Sequence, residues 1–268
     1  MLRTQTAGPP GYAALGVVIP TRNSAATLES TLLSLASQRG VTISVIVADS
    51  QSTDGTLEIC RRWGLRSVDV PPGNMYRAIN AGMRLLATPW LTYLNSDDLA
   101  YADGYARLVA LGEQRGLDIV YGHGEFLDAR GHFVRRQASF GPALVRRQLA
   151  AGTMPFLQPA AIFRHQVYWH LGGFDERYTH IADYDFYARA AAARLEFGRV
   201  AGGPVAAFRV HGSQLSAAQK PVADAEKRRR RRQCGRYQWL ARRGLSTIWK
   251  ARNVLNSLAA VPVVTRRG

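Results

Sequence analysis

"LTYLNSDDLA", residues 91–100, begins as a strand and ends as something else. Leu91 to Leu94 suit a buried, pleated surface. Asn95, Ser96, Asp97 and Asp98 then place two adjacent carboxylates where neither pairing nor packing benefits from them, because like charges repel. Two readings are open. One is a divalent-cation site, since Mg²⁺ or Mn²⁺ takes one or two carboxylates and completes its octahedron with substrate phosphates and water. The other is an acidic pair at the positive end of a helix that starts at Tyr101.

The flanking chain favours the first reading by its rhythm. Leu15–Ile19 is a short apolar run closed by Pro20, and Val41–Ala48 is a β-branched run; both read as buried strands. Between them, 24–37 carries Leu28, Leu32 and Leu35 at helical spacing. Asp54 reads as the cap of another helix, 74–86 as a further helix, 101–114 as the next, and Leu117–Tyr121 as a strand. Strands alternating with helices of this length predict a parallel sheet with helices on both faces. After Gly122 the alternation breaks. "HGEFLDARGHFVRR" reads as a hairpin turning at 128–131, followed by a helix over 142–149, a strand near 160–163, a helix over 183–194 and a last strand over 205–210.

In such sheets ligands bind beyond the carboxyl ends of the strands. Polar residues cluster there: Thr21 and Asn23 after the first strand, Asp49 after the second, Asn95 to Asp98 after a later one. Ser24 reads as a helix cap and Asp54 as turn chemistry, whereas Thr21, Asn23 and Asp49 have no evident structural task and are left to contact a ligand. Arg77 and Asn80 lie on one helix, either on a solvated face or at a ligand. Asp183 opens a helix, as a cap or as a cleft-facing general base. His211 follows a strand end, a position more often structural than ligating. No GxGxxG follows the first strand, no P-loop lysine motif occurs, and no GxSxG elbow is present. These absences argue against a dinucleotide dehydrogenase, a P-loop NTPase and an α/β-hydrolase.

The order "VVIPTRN", "VIVADSQSTDGT", "MYRAINAG", "LTYLNSDD", "DIVYG", "LGGFDERY", "ADYDFYAR", "FRVHGSQLS" resembles the family 2 glycosyltransferases of the GT-A fold, in particular bacterial enzymes of cell-surface polysaccharide assembly. The resemblance spans residues 15 to about 216. It implies an α/β fold of GT-A type, with a mostly parallel central sheet flanked by helices. Residues 1–219 would form the transferase domain: 15–121 a Rossmann-like nucleotide-sugar-binding half and 122–219 an irregular acceptor half. It further implies a nucleotide-diphosphate sugar donor (a UDP-sugar favoured), a glycan or lipid-linked acceptor, a divalent metal (Mg²⁺ or Mn²⁺) and inversion at the anomeric carbon. By position, Thr21, Asn23 and Asp49 would hold base and ribose, and Asp97 the metal, with Asn95 and Asp98 beside it. Asp183 would be the base, and His211 would reach metal or diphosphate. Asn95 stands where many relatives have Asp, which lowers the charge of the metal site. Arg77 also stands where look-alikes often have Asp; with Asn80 it is assigned to the donor.

The formal charge of +16 over 268 residues suggests a nucleic-acid binder until it is located. Residues 220–268 hold 14 Lys and Arg against Asp224 and Glu226, leaving the body nearly balanced. A nucleic-acid-binding module would carry its charge on the folded body, so no nucleic acid is expected. A sugar-phosphate nucleotidyltransferase, the rival enzyme, would need a glycine-rich basic loop after the first strand, and "TRNSAATLES" is not one. The segment 220–268 mixes arginines with Trp239, Leu240, Leu245, Ile248, Trp249, Val254, Leu255 and Leu258 at spacings of three and four. It reads as a basic amphipathic helical tail, lying on an anionic membrane surface or capping the domain. Two cysteines, no signal-peptide pattern and no run long enough to span a bilayer point to a cytoplasmic protein, peripheral at the inner face of the membrane.

Overall fold

A computed structural model describes residues 14–210 and 220–233. In chain order the elements are β1 (Ala14–Thr21), α1 (Leu28–Ala36), β2 (Thr42–Asp49), α2 (Thr56–Arg62), β3 (Arg66–Asp69), α3 (Met75–Met83), β4 (Trp90–Tyr93), β5 (Leu99–Ala100) and α4 (Gly104–Arg115). The second half adds β6 (Ile119–Tyr121), β7 (Gly124–Leu127), β8 (Phe133–Gln137), α5 (Pro142–Ala150), β9 (Ala161–Arg164), α6 (His165–His170), α7 (Ala182–Ala192), β10 (Phe197–Arg199), β11 (Ala206–Arg209) and α8 (Lys220–Gln233).

Seven strands form the main sheet in the order β10-β6-β9-β4-β1-β2-β3. All pairings are parallel except those of β9, which runs antiparallel to both β4 and β6. The apolar runs of β1 and β2 are continuous because both faces are covered. Val18, Ile46 and Ala48 face a core shared with α3, α5, α6 and α7. Val17, Ile19, Val45 and Val47 face one shared with α1, α2 and α4. A second, four-stranded sheet, β5-β11-β7-β8, stands beside the first. Its hairpin turns where the sequence places it, with Asp128 Oδ1 accepting the amides of Arg130 and His132.

Several local readings need correction. The first helix begins at Leu28, not Ser24, because the Ser24 carbonyl accepts the Thr27 and Leu28 amides in a turn ahead of it. β3 pairs only with β2 and is mostly exposed, so it shows no apolar run. β10 and α6 are likewise short and give no pattern by which to expect them. One close approach seats α3 on the sheet. Gly82 lies against β1 so tightly that a Cβ would lie 2.6 Å from a Val18 methyl, which only glycine permits.

Candidate active site

At the carboxyl ends of β1 and β2, Thr21 and Asp49 are partners in register. Both are buried. Thr21 Oγ1 donates to Asp49 Oδ1 at 2.8 Å, Ser52 Oγ donates to the same oxygen at 2.6 Å, and the Ser52 amide reaches Oδ2 at 2.9 Å. Asn23 is left-handed (φ 51°); its Oδ1 accepts the Thr53 amide at 2.8 Å, and its own amide donates to Ser52 Oγ at 2.8 Å. The sequence reading that left Thr21, Asn23 and Asp49 without structural work is therefore corrected: all three staple the two strand-end loops together. Gly55, and not Asp54, is the cap residue of the next helix; Asp54 stands one residue before it, accepting the Thr56 amide at 3.0 Å through one oxygen and the Ala25 amide through the other.

The staple extends to the third strand end. Ser24 Oγ and Ser96 Oγ are 2.8 Å apart, joining the β1 loop to the stretch after β4. There Asp98 is fully buried. Its Oδ1 accepts the Arg209 amide at 2.9 Å and its Oδ2 accepts Asn95 Nδ2 at 3.1 Å. Burial, with Asp97 beside it, pushes the Asp98 carboxyl well above the usual carboxylate range, against the pull of those two donors. Asp98, expected beside the donor, is an internal anchor between the two sheets. Asp97 is half-buried, and its carbonyl accepts Arg209 Nε at 2.9 Å. Asn95 Oδ1 is buried with no hydrogen-bond partner among the described residues, an acceptor left unsatisfied by the protein.

Asp183 lies in the first turn of α7, half-buried, and accepts the Tyr76 hydroxyl at 3.0 Å. Tyr76 comes from α3 and meets Tyr93 of β4 edge-on, with centroids 6.4 Å apart. That contact ties Asp183 to the strand whose end carries Asp97. Burial raises the Asp183 carboxyl above its ordinary value; the Tyr184 amide, the Tyr76 hydroxyl and the charge of Lys227 pull it back. A partly desolvated carboxyl with a raised pKa, oriented by the Tyr76 hydroxyl and the Tyr184 amide, is chemically a proton acceptor.

The remaining candidates fall elsewhere. Asn80 is buried, and its amide is fully engaged. Oδ1 accepts Tyr168 Oη at 2.8 Å and the Phe174 amide at 3.1 Å, while Nδ2 donates to the Phe174 carbonyl and to Glu176. It holds the Gly172–Gly173 turn rather than facing a ligand, and the donor assignment is corrected. Arg77 is half-exposed and pairs with Glu176 at 3.5 Å. His211 lies outside the described residues. Among the described residues no three His, Cys, Asp or Glu side chains form a metal cage.

Residues 16–172, more than half of the chain, match the model of the family described as "Glycosyl transferase family 2". The chain belongs to glycosyl transferase family 2. It is 32% identical over 185 residues to the PGL/p-HBAD biosynthesis glycosyltransferases of Mycobacterium tuberculosis and Mycobacterium bovis, covering 65% of this chain and 68% of theirs. In solved structures the fold is similar to residues 1–349 of S. aureus TarS in complex with UDP-GlcNAc. The TM-score is 0.61 at 17% identity, over 75% of this chain and 60% of that one. It is also similar to the mannosyltransferase PcManGT of Pyrobaculum calidifontis in complex with GDP-Man and Mn²⁺, with a TM-score of 0.59 at 20% identity, over 96% and 66% of the two chains. Against full-length TarS this chain spans 39% of the partner's length. The α/β architecture is thus that of the GT-A glycosyltransferases, and the chain is a glycosyltransferase.

For this family 2 enzyme, the residues that sequence reasoning missed are those whose partners are distant. Tyr76 sits inside "MYRAINAG" beside Arg77 and Asn80, yet it is the member that touches Asp183. Arg209 sits inside "FRVHGSQLS" and pins both Asp97 and Asp98. Only their place in stretches already singled out hinted at them. The donor types suit a hard divalent cation: a half-buried carboxylate, Asp97, and, two residues before it in the chain, an orphaned amide oxygen, Asn95 Oδ1, which phosphate oxygens and water would complete.

Proposed function

We propose that this glycosyltransferase moves a sugar from a nucleotide-diphosphate donor, a UDP-sugar by preference, to a glycan or lipid-linked acceptor of bacterial surface polysaccharide, with inversion. The observation that carries the reading is the Asp183–Tyr76–Tyr93 linkage, which ties a carboxyl of raised pKa to the strand that presents Asp97. The relatives support the donor class: one solved neighbour is a complex with UDP-GlcNAc, another with GDP-Man and Mn²⁺.

Asp183 accepts the proton of the acceptor hydroxyl as that oxygen attacks the anomeric carbon. The bond to the diphosphate breaks on the opposite face, and the leaving oxygen takes the electron pair. Asp97, with Asn95 Oδ1, would hold a Mg²⁺ or Mn²⁺. When bound, the cation supplies Lewis-acid stabilisation of the charge growing on the diphosphate. The stapled loops after β1 and β2 present a rigid edge for base and ribose, with Asp49 and Asn23 at its corner. No helix among the described residues is long and apolar enough to cross a membrane. The exposed Arg228 and Arg229 on α8 support attachment of the basic tail to an anionic membrane surface at the cytoplasmic face.

A panel of UDP- and GDP-sugars with Mn²⁺ or Mg²⁺ tests the assignment. Asp97→Ala should weaken metal-dependent nucleotide binding. Asp183→Ala should bind nucleotide normally and transfer about 10²–10⁴-fold more slowly. Equal turnover by both variants and the wild type would overturn the roles.

A further inference from the structure

The basic segment reads in sequence as a separate tail, yet its first part is attached to the body by charge. On α8, Ala223, Glu226, Lys227 and Arg230 are the more buried positions, while Asp224, Ala225, Arg228 and Arg229 are exposed. Offsets of three, four and seven define one helix face. That face has almost no apolar surface to bury, so its docking depends on specific pairs.

Glu226 accepts the Thr179 amide at 2.7 Å and the Thr179 hydroxyl at 2.8 Å through one oxygen, and the His180 amide at 3.0 Å through the other. Arg230 is itself buried; its Nε donates to Asp185 Oδ1 at 2.6 Å. The second Asp185 oxygen takes Arg189 Nε at 2.7 Å, and Arg189 continues to the Gly173 carbonyl at 2.7 Å. The Arg230 guanidinium also lies 5.4 Å from the ring centre of Tyr184. Glu226 therefore holds the chain just before Asp183, and Arg230 holds it just after.

We infer that α8 is the positioning element of the proposed base, with Glu226 and Arg230 fixing the two flanks of Asp183. This rests on the reading of Asp183 as the base, but the clamp itself does not. Without Arg230 the buried Asp185 keeps only Arg189 as a charged partner, and the start of α7 would be drawn toward Arg189 and away from its place. A shift of about 1 Å in a reacting group costs on the order of a hundredfold in rate. The bonds of Glu226 and Arg230 described above go to Thr179, His180 and Asp185, none of them in the strand-end loops assigned to the donor, so the effect falls on kcat.

The test compares full-length wild type with Glu226→Ala, Arg230→Ala, Glu226→Gln and Arg230→Lys, by steady-state kinetics and by hydrogen exchange. Expected for both alanine variants is a kcat lower by about a hundredfold, a donor KM within about twofold, and faster amide exchange confined to residues 179–185. Glu226→Gln keeps an acceptor oxygen and should recover most of the loss; Arg230→Lys keeps the charge and should recover part. Unchanged kcat in the alanine variants overturns the inference, as does exchange that rises evenly over the whole chain. If the wild type transfers sugar from no donor, the functional reading fails, and exchange at 179–185 still decides the clamp: no change there in either alanine variant sinks it.

Discussion

A general base works best with a pKa near the pH at which it acts, and Asp183, the proposed base, is set by opposing influences. Burial raises it, whereas the Tyr76 hydroxyl bond favours the ionised form. Tyr76→Phe removes that bond and leaves the burial, so the acid limb of kcat against pH should move to higher pH; an unmoved limb would separate Tyr76 from the base. Asp183→Asn should lower kcat by about 10²–10⁴-fold while stabilising the fold at neutral pH. A carboxyl raised in the folded state contributes its full stability below the unfolded value, about 3.9, and loses it as pH rises through the folded value. Melting curves should therefore place Asp183→Asn above wild type at pH 7, with the gap closing on acidification. Residue type made the placement of Asp97 after a strand end and of Asp183 at a helix start legible in the sequence, and their roles belong to the proposal. The engagement of Thr21, Asn23 and Asn80 was not legible, since their partners lie 28, 30 and 94 residues away in the chain.

Among the elements, α3 connects more of the site than any pattern in it suggests. It carries Tyr76 toward Asp183, Asn80 toward the glycine turn, and Gly82 against β1. Gly82→Ala should cost about 1–3 kcal/mol by overpacking and, by lifting α3 from β1, should reduce kcat through Tyr76. Chemical denaturation and kinetics on one preparation check both parts. Asn80→Ala should cost a similar amount, about 1–3 kcal/mol, because Tyr168 and the Phe174 backbone lose their partner. Its donor KM should stay near wild type, which separates a scaffold role from a ligand contact. Long apolar or amphipathic segments such as β1, β2, α4 and α7 were legible within a few residues. The short edge elements β3 and β10 were not, because three or four residues are too few to leave a periodic signal, and β3 is in addition mostly exposed.

For the whole molecule, buried carboxylates are among the joints that hold two sheets and one docked helix together. Asp98 receives the Arg209 amide between the sheets, and Asp185 receives Arg230 from α8. Charge location was visible in composition, since most of the excess lies beyond residue 219. Its division of labour was not, because Glu226 and Arg230 differ from their neighbours only in where the fold points them. The outward arginines predict vesicle binding that requires anionic lipid and weakens as salt rises, each basic residue near the surface contributing about 1 kcal/mol. Co-sedimentation with neutral and anionic vesicles at low and high ionic strength checks this. Binding insensitive to both would place the charge in another task.

One reversal in the main sheet has a further reach. β9 returns antiparallel beside β6, pairing Tyr121 with Ala161, while the Gly122 amide meets the Ala160 carbonyl at 2.9 Å. Everything from 122 to 160 thus departs and comes home through a single gate. Its exposed β7–β8 turn can lengthen or shrink without re-registering the strands beneath it, whereas β7 is tied to β11 and α5 to the core. On the proposed assignment of 122–219 to the acceptor, diversification of what the enzyme decorates has a natural place at that turn, apart from the strand ends proposed to grip the activated sugar.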